Sequence, residues 1–113
     1  MKIIEFYQDD QKTYIVNEFY EGGELLEKIS KKTTFTEAEA AALMNQIFSA
    51  VNYCHKNKIV HRDLKPENIV FETKEDDSVL KVIDFGTSEV FSPGQLLHKP
   101  MGTVKKNFPL LEN

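Results

Sequence analysis

A densely charged stretch between two apolar runs constrains the fold of this chain more than any other feature. The sequence IVHRDLKPENIVF, residues 59–71, begins and ends with residues that favour buried strands. Its middle carries His61, Arg62, Asp63, Lys65, Glu67 and Asn68. Ordinary surface loops turn with Gly, Ser and Asn, and folding alone does not require this set of polar side chains. The stretch therefore predicts a functional loop that connects two strands of the core.

The segments on either side of this loop have recognisable patterns. Ile3–Tyr7 and Thr13–Tyr20 are rich in β-branched and aromatic residues and predict a β-hairpin. Glu21–Gly23 ends the second strand because its two glycines disfavour extended structure entropically. The run ELLEKISKK, residues 24–32, predicts a short amphipathic helix. We interpret the sequence from Thr87 onward as loop or tail, since it has turn residues and no sustained period.

A longer helix is predicted between these segments. Thr36 and Glu39 have the spacing of a capping box, in which the threonine is the N-cap. Apolar residues then recur at spacings of three and four, at Ala40, Leu43, Met44, Ile47, Ala50, Val51 and Cys54. The helix should end near His55. Its apolar face could bind a ligand or partner, but a face packed against the core is much commoner.

A hairpin is expected to bring distant polar residues together. If its turn is centred near Asp76, the strand Asn68–Phe71 runs antiparallel to Val79–Asp84. This register would place Ile69 opposite Ile83, Val70 opposite Val82, and Asn68 opposite Asp84.

Asp63 lies five residues before Asn68 on the same loop. We therefore expect Asp63, Asn68 and Asp84 to converge at one end of the small sheet. Carboxylate and amide oxygens suit magnesium, which leaves coordination positions for phosphate oxygens. Lys65 adds a positive charge beside them. Together these side chains predict a site for phosphoryl transfer.

Composition excludes some functional classes from these expectations. The chain has 113 residues and a net charge of −4, which fits one soluble domain without a general nucleic-acid-binding surface. No apolar run approaches the ~20 residues of a membrane span, and we expect no membrane partner. The N-terminus lacks the apolar region of a secretory signal. The only cysteine, Cys54, fits a reducing, cytoplasmic setting.

Two runs of the sequence resemble a known family. HRDLKPEN, followed by DFG at residues 84–86, resembles the catalytic loop and magnesium-binding motif of eukaryotic protein kinases. YIVNEFYEGGEL, residues 14–25, is similar to the strand, hinge and first large-lobe helix of calcium/calmodulin- and calcium-dependent protein kinases. The resemblance implies an α+β, protein kinase-like fold. The chain would comprise the last small-lobe strands, the hinge and the first half of the helical large lobe.

The resemblance implies roles for the residues of the polar loop. Asp63 would orient the substrate hydroxyl and accept its proton, and Lys65 would steady the transferred phosphoryl group. The lysine also marks the serine/threonine type. Asn68 and Asp84 would bind magnesium.

Further residues would contact the nucleotide or the substrate by the same resemblance. Glu18 and Tyr20 would offer backbone groups to adenine, and Val70 would form the floor beneath it. Glu24 and Glu67 match acidic positions that meet the ribose or a basic substrate residue.

Four other positions match structural or regulatory residues of the family. Arg62 resembles the arginine that pairs with a phosphorylated activation loop. Thr103 matches the threonine that closes this loop against the catalytic aspartate. His61 and Phe85 are expected to pack against each other rather than react.

The implied function is ATP-dependent transfer of the γ-phosphate to serine or threonine hydroxyls of protein substrates, with ATP and Mg²⁺ as cofactors. Substrates with basic upstream residues are expected. We expect a partial kinase domain over residues 1–103 and a divergent tail over residues 104–113. The glycine-rich phosphate loop, the strand lysine and the C-helix glutamate have no counterpart in the sequence. The alternative is therefore a catalytically inactive truncated kinase or pseudokinase that acts as a binding or scaffold module.

Overall fold

Two helices and three two-stranded sheets make up the part of the computed structural model that describes residues 2–32, 34–92, 94, 97 and 101–103. In chain order the elements are β1 (Ile3–Gln8), β2 (Thr13–Asn17), α1 (Leu25–Lys31), α2 (Glu37–Lys56), β3 (Ile59–Val60), a 3-10 turn (Pro66–Asn68), β4 (Ile69–Phe71), β5 (Leu80–Val82) and β6 (Glu89–Val90). The mixed α+β architecture predicted from the sequence is confirmed. The predicted tail over residues 104–113 lies outside the described residues.

Strands β1 and β2 form the hairpin that the sequence predicts. They pair antiparallel, with Phe6 opposite Ile15 and Tyr7 opposite Tyr14. The Asp9 carboxylate closes the turn, since Oδ1 accepts backbone N–H groups of Gln11 and Lys12 at 2.7 Å each. All the residues of both strands are exposed, so the hairpin extends from the core rather than forming part of it. The second strand ends three residues earlier than expected, at Asn17.

The segment that follows the hairpin is bonded to β4. Gly22 N–H donates to the Phe71 carbonyl at 3.1 Å, and Phe71 N–H donates to the Gly23 carbonyl at 2.9 Å. A Cβ atom on Gly22 would lie 2.1 Å from the Thr73 carbonyl oxygen and 2.5 Å from Phe71 Cβ. Glycine is therefore required here for close backbone approach, and this approach fixes the connection between the hairpin and the core.

Helix α2 begins and ends close to its predicted limits. The capping box is present: Thr36 Oγ1 accepts from Glu39 N–H at 3.2 Å, and Glu39 Oε2 accepts from Thr36 N–H at 2.9 Å. On its apolar face Ile47 is buried, and Leu43 and Val51 pack against the main hydrophobic cluster. The buried members of that cluster are Leu25, Ile47, Ile69, Phe71 and Leu80. The predicted core face is thus confirmed at these positions, but it is wrong at Ala40 and Met44, which are exposed.

The hairpin of β4 and β5 forms, but its predicted register is wrong by one residue. Ile69 pairs with Val82, Val70 with Lys81, and Phe71 with Leu80. The reason lies in the turn, where Thr73 N–H donates to Ser78 Oγ at 2.8 Å and Glu72 N–H donates to the Val79 carbonyl at 2.9 Å. These bonds centre the turn between residues 75 and 76 instead of on residue 76.

The corrected register has a consequence for the polar residues at the end of this hairpin. Ile83 N–H donates to the Asn68 carbonyl at 2.9 Å, so Ile83 rather than Asp84 lies opposite Asn68. Strand β4 also begins at Ile69, because Asn68 ends the 3-10 turn. Asp84 follows one residue beyond the last pair, with a left-handed φ of 60°.

The interpretation of everything after Thr87 as loop or tail is wrong at β6. Glu89 pairs with Val60 and Val90 with Ile59, and Phe91 N–H donates to the Lys58 carbonyl at 2.8 Å. Two-residue strands have no detectable period, so the sequence pattern could not identify them. None of the helices in the described part of the chain combines the length and the apolar character needed to cross a membrane.

Replacing Gly22 with alanine tests whether the close approach to β4 is required. The added Cβ would force the backbone of residues 71–73 away from residue 22. Overpacking of this kind typically costs ~1–3 kcal/mol of unfolding free energy. The comparison is Gly94→Ala, where a Cβ meets nothing within 4 Å, so that the only expected cost is the backbone strain of a side chain at a φ of +81°. Urea denaturation should show a larger loss of unfolding free energy for Gly22→Ala. An equal or smaller loss would contradict the role assigned to this glycine.

Candidate functional site

The backbone of the polar loop turns sharply at both of its ends. Strand β3 leads into Arg62, whose φ of 68° lies in the left-handed region. The loop then ends in the 3-10 turn, which starts at Pro66 and is closed by a bond from Asn68 N–H to the Lys65 carbonyl at 2.9 Å. Proline at the first turn position suits this geometry, because that position needs no N–H donor. The charged side chains are thus carried by a short, hydrogen-bonded backbone.

Asp63 is the most heavily bonded side chain in this loop and is only 13% exposed. Its Oδ1 accepts the backbone N–H of Thr103 at 2.8 Å. Its Oδ2 accepts the Thr103 hydroxyl at 3.0 Å and Lys65 Nζ at 2.8 Å. Lys65 Nζ also contacts the Thr103 hydroxyl oxygen. The structure therefore brings Thr103 against Asp63, as the sequence resemblance implied.

These bonds determine the charge state of the pair. The hydrogen bond from Lys65 is the largest influence on Asp63, followed by that from the Thr103 hydroxyl, and together they lower its pKa to about 2. The same bond raises the pKa of Lys65, with smaller contributions from Glu67 and Asp84. At neutral pH the pair is therefore a carboxylate and an ammonium ion.

Asn68 is buried and bonded to the same aspartate. Its Nδ2 donates to the Asp63 carbonyl at 2.9 Å and lies 3.4 Å from Asp63 Oδ2. The amide oxygen Oδ1 takes no part in these two contacts. The sequence prediction that Asp63 and Asn68 meet is confirmed by these contacts.

Asp84 reaches the site from the segment that follows β5. It follows Ile83, which is bonded to Asn68 through its N–H, and its charge contributes to the raised pKa of Lys65. Its side chain is exposed, and Oδ1 accepts Gly86 N–H at 3.2 Å. The left-handed φ of 60° turns Asp84 out of the strand direction and leaves its carboxylate facing an open cleft.

The donor atoms of Asn68 and Asp84 fit a magnesium ion. One carboxylate and one amide oxygen are hard ligands, and magnesium is commonly held by one or two such groups together with substrate phosphates. Within the described residues no cluster of three or more His, Cys, Asp or Glu side chains could hold a metal by itself. Asn68 and Asp84 therefore suit an ion that is also bound by phosphate oxygens, rather than an ion that is enclosed by protein ligands alone.

The open cleft beside Asp84 has a volume of about 310 Å³. It is lined by Asn17, Glu18, Phe19, Tyr20, Val70, Ile83 and Asp84. Three of the four residues predicted to contact a nucleotide, Glu18, Tyr20 and Val70, thus share one cleft with Asp84. The fourth, Glu24, pairs with Val70 through its backbone but lines a different cleft, of about 530 Å³, next to α1.

Other contacts stabilise the base of the loop. His61 is buried, and its ring lies 4.8 Å from that of Phe85 in an edge-to-face arrangement, which confirms the predicted packing of these two residues. His61 Nε2–H donates to the Ile83 carbonyl at 2.9 Å, while Nδ1 accepts Asp63 N–H at 3.3 Å. One imidazole thus links Asp63 to the strand that carries Asp84.

Sequence reasoning missed two residues of this region. Glu89 lies 2.5 Å from Arg62 Nη1, and the Thr87 hydroxyl donates to the His61 carbonyl at 3.0 Å. Both lie more than twenty residues from their partners, in the segment that was interpreted as loop or tail. The only indication of the Arg62–Glu89 pair in the sequence is the presence of an acidic residue shortly after DFG.

Comparison with known proteins identifies clear relatives. A family model described as "Protein kinase domain" matches residues 1–106. The chain is 44% identical over 105 residues to calcium-dependent protein kinase 4 of Plasmodium berghei, covering 92% of this chain and 20% of that protein. It is 46% identical over 106 residues to CDPK-related kinase 7 of Arabidopsis thaliana, covering 90% and 18%. The chain thus spans about a fifth of the length of the curated relatives that it matches.

Substitutions around Asp63 test the origin of its low pKa. Lys65→Met should raise the pKa of Asp63 more than Thr103→Val does, because the lysine bond is the larger influence. Since the folded-state pKa is depressed, the stabilisation from these bonds is present above the ordinary titration range of aspartate. It is lost as pH falls towards about 2. Carbon-detected NMR titration of the carboxyl group measures the shift.

The control for this titration is Lys81→Met, which removes a lysine paired with Glu72 at 3.3 Å, away from the loop. That variant should leave the pKa of Asp63 unchanged. A value that remains near 2 in both Lys65→Met and Thr103→Val would contradict the assignment.

Proposed function

Because the chain belongs to the protein kinase family, we propose that its polar loop transfers the γ-phosphate of ATP to serine or threonine hydroxyls of protein substrates. The observation that carries this proposal is the placement of Asp63. Its carboxylate is held between Lys65 and Thr103, and its backbone carbonyl is bonded to the Asn68 amide. In a surface loop without a function, water can satisfy a carboxylate, so this many protein donors to one carboxylate are not expected.

Asp63 orients the substrate hydroxyl in this proposal. As a carboxylate with a pKa of about 2, it is a strong hydrogen-bond acceptor but a weak base. Phosphoryl transfer passes through a loose transition state, so catalysis depends on positioning more than on early proton removal. Asp63 therefore accepts a hydrogen bond from the hydroxyl first, and takes the proton once that oxygen has become acidic through bonding to phosphorus.

Lys65 supplies the positive charge beside this acceptor. Its Nζ lies 2.8 Å from Asp63 Oδ2, and its raised pKa keeps it charged at neutral pH. In this position the ammonium group would stabilise negative charge that accumulates on transferring oxygens. A lysine at this loop position is also what favours serine or threonine over tyrosine as the acceptor, by resemblance to the family.

Asn68 and Asp84 would hold magnesium, and the cleft beside them would bind the nucleotide. When bound, the ion supplies charge neutralisation to the phosphate oxygens. Val70 presents an apolar surface to the cleft, whereas Glu18 and Tyr20 lie on the chain segment that borders it. The Tyr20 hydroxyl donates to Glu18 at 3.3 Å, and Lys81 Nζ lies 5.9 Å from the Tyr20 ring centroid. These contacts restrain the edge at which a base would bind.

We further propose that substrates carry a basic residue upstream of the acceptor. Glu24 is exposed at the start of α1, where its side chain makes no capping bond to the helix. A carboxylate that is not used by its own helix is available to a substrate arginine or lysine.

Peptide binding tests the proposed substrate preference. A serine peptide with upstream arginines should bind more tightly than its alanine counterpart, and Glu24→Gln should reduce this difference. Glu27→Gln is the matched control, since Glu27 lies one helical turn away, is also exposed, and already pairs with Lys31 at 3.3 Å. Equal affinity for the two peptides would remove the proposed preference.

Two substitutions should separate nucleotide binding from transfer. Asp84→Asn should weaken magnesium-dependent ATP binding roughly tenfold or more, because it removes the charged metal ligand. Asp63→Asn should leave ATP affinity unchanged and lower phosphate transfer roughly 10²–10⁴-fold. Calorimetric titration measures the first effect and radiolabel transfer to a serine peptide the second.

Asp77→Asn serves as the control, because Asp77 is an exposed carboxylate in the β4–β5 turn. Asp77→Asn should change neither the affinity for ATP nor the rate of phosphate transfer. Magnesium-dependent binding without transfer would favour a nucleotide-binding module instead of an enzyme. Absence of binding at millimolar ATP would contradict the proposed function and favour a scaffold role.

A further inference from the structure

Thr73 lies in the turn between β4 and β5, at the edge of the cleft of about 530 Å³ next to α1. Thr73 is exposed, and so are the four residues that follow it, 74–77. Its backbone is held in place, because Thr73 N–H donates to Ser78 Oγ at 2.8 Å. Its hydroxyl oxygen, by contrast, accepts a long bond from Glu75 N–H at 3.4 Å. The turn therefore presents an accessible hydroxyl on a backbone of fixed position.

The residues that follow Thr73 are strongly acidic. Glu75, Asp76 and Asp77 stand at the second to fourth positions after it, and no other serine or threonine in the sequence has three acidic residues among the next four. A basic substrate groove would pair with these carboxylates. Residues 70–72, which precede Thr73, include no lysine or arginine. An enzyme that selects basic residues upstream of the acceptor, as proposed for this chain, would therefore not select Thr73.

Thr36 provides a comparison within the same chain. Glu37 and Glu39 stand at the first and third positions after it, so acidic residues follow this threonine as well. Its hydroxyl, however, is part of the capping box of α2: Oγ1 accepts Glu39 N–H at 3.2 Å and donates to Glu39 Oε2 at 3.0 Å. A substituent on this oxygen would disrupt the cap. Thr73 differs from Thr36 because it combines acidic neighbours with a hydroxyl that is not needed by a helix.

Positive charge faces Thr73 across the cleft. Three lysines in or directly after α1 line the cleft together with Thr73: Lys28, Lys31 and Lys32. Lys31 and Lys32 are already in ion pairs with glutamates. The Lys28 ammonium instead lies 4.5 Å from the centre of the ring of Phe71, two residues before Thr73. Lys28 is therefore the lysine of this group that is placed to receive an anion on Thr73.

We propose that Thr73 is a phosphorylation site for a second protein kinase, whose basic groove binds the acidic turn, and that Lys28 pairs with the phosphate. In the transfer, Thr73 Oγ1 forms a bond to the γ-phosphorus of ATP while the bond from that phosphorus to the oxygen of ADP breaks. The hydroxyl proton passes to the modifying enzyme. The phosphate carries a charge of about −1.5 to −2 at pH 7 and would join the turn to α1. This inference does not depend on catalysis by the polar loop.

Phosphorylation in vitro tests the site on the unsubstituted chain. The chain is incubated with ATP, Mg²⁺ and a purified acid-directed kinase, that is, a protein kinase that requires acidic residues after its acceptor. Fragment mass spectrometry should locate one phosphoryl group on Thr73 and none on Thr36. Thr73→Ala should abolish the modification, and Thr73→Ser should retain it. No modification, or modification of Thr36 in preference to Thr73, would overturn the proposal.

Substitution of one carboxylate tests how the turn is recognised. Asp76→Asn should slow the modification of Thr73 roughly tenfold, because it removes a charge-assisted contact with the basic groove of the enzyme. The matched control is Asp10→Asn, since Asp10 is also an exposed carboxylate in a hairpin turn, between β1 and β2. It should leave the rate unchanged. Equal rates for the two variants would overturn recognition through the acidic turn.

Two further incubations identify the kind of enzyme. Neither a kinase that requires basic residues upstream of its acceptor nor the chain alone with ATP and Mg²⁺ should modify Thr73. Modification in either incubation at the rate seen with the acid-directed kinase would overturn the assignment to a second enzyme. If the chain shows no phosphate transfer of its own while the acid-directed kinase modifies Thr73, the proposed function fails and the modification site stands.

NMR of the phosphorylated protein tests the role of Lys28. Its ε-methylene signals should shift when Thr73 is phosphorylated, because the ammonium group pairs with the phosphate. The carboxylates of Glu24 and Glu27, which line the same cleft, would repel a phosphate that lacked this partner. The signals of Lys12, in the turn between β1 and β2, serve as the control and should not move. Unchanged Lys28 signals in the fully phosphorylated protein would overturn the pairing with the phosphate.

Discussion

The pairing of β4 with β5 is the constraint on which the site depends. Ile69 and Phe71 are buried in the hydrophobic cluster, and their register with β5 is fixed by the turn that Ser78 closes. This pairing ends with the bond from Ile83 N–H to the Asn68 carbonyl at 2.9 Å. Because the strands cannot slide without exposing apolar side chains, Asn68 and the residue after Ile83 are held at one end of the hairpin.

Two ion pairs of the loop are arranged on this fixed base. Asp63 is kept ionised by Lys65, and Arg62 is bonded to Glu89. Such pairing offsets the cost of removing charges from water, which would otherwise oppose a compact loop. Asp84 differs, because its carboxylate faces the cleft and not a cation. The site thus combines these ion pairs of the loop with the exposed carboxylate of Asp84, where a divalent ion would bind.

The sequence predicted those parts of the structure that local chemistry determines. The capping box at Thr36 and the helical period after it identified α2 because both act within a few residues. The predicted register of β4 and β5 is wrong by one residue, because the hydroxyl of Ser78 in the turn decides it. The ion pair between Arg62 and Glu89 joins residues 27 apart through a two-residue strand, so no local pattern encodes it. The approach of Thr103 to Asp63 could be anticipated only from family resemblance, since it depends on how a long segment folds back.

The central proposal is that Asn68 and Asp84, next to Asp63, hold one divalent ion that is bound together with nucleotide phosphates. Paramagnetic Mn²⁺ in place of Mg²⁺ tests this most directly, since it broadens NMR signals only of nearby nuclei. With ATP present, substoichiometric Mn²⁺ should broaden the amide signals around Asn68 and Asp84 first and leave the acidic turn at residues 75–77 sharp. Broadening centred on that turn, or broadening at Asn68 and Asp84 that is the same with and without ATP, would contradict the claim.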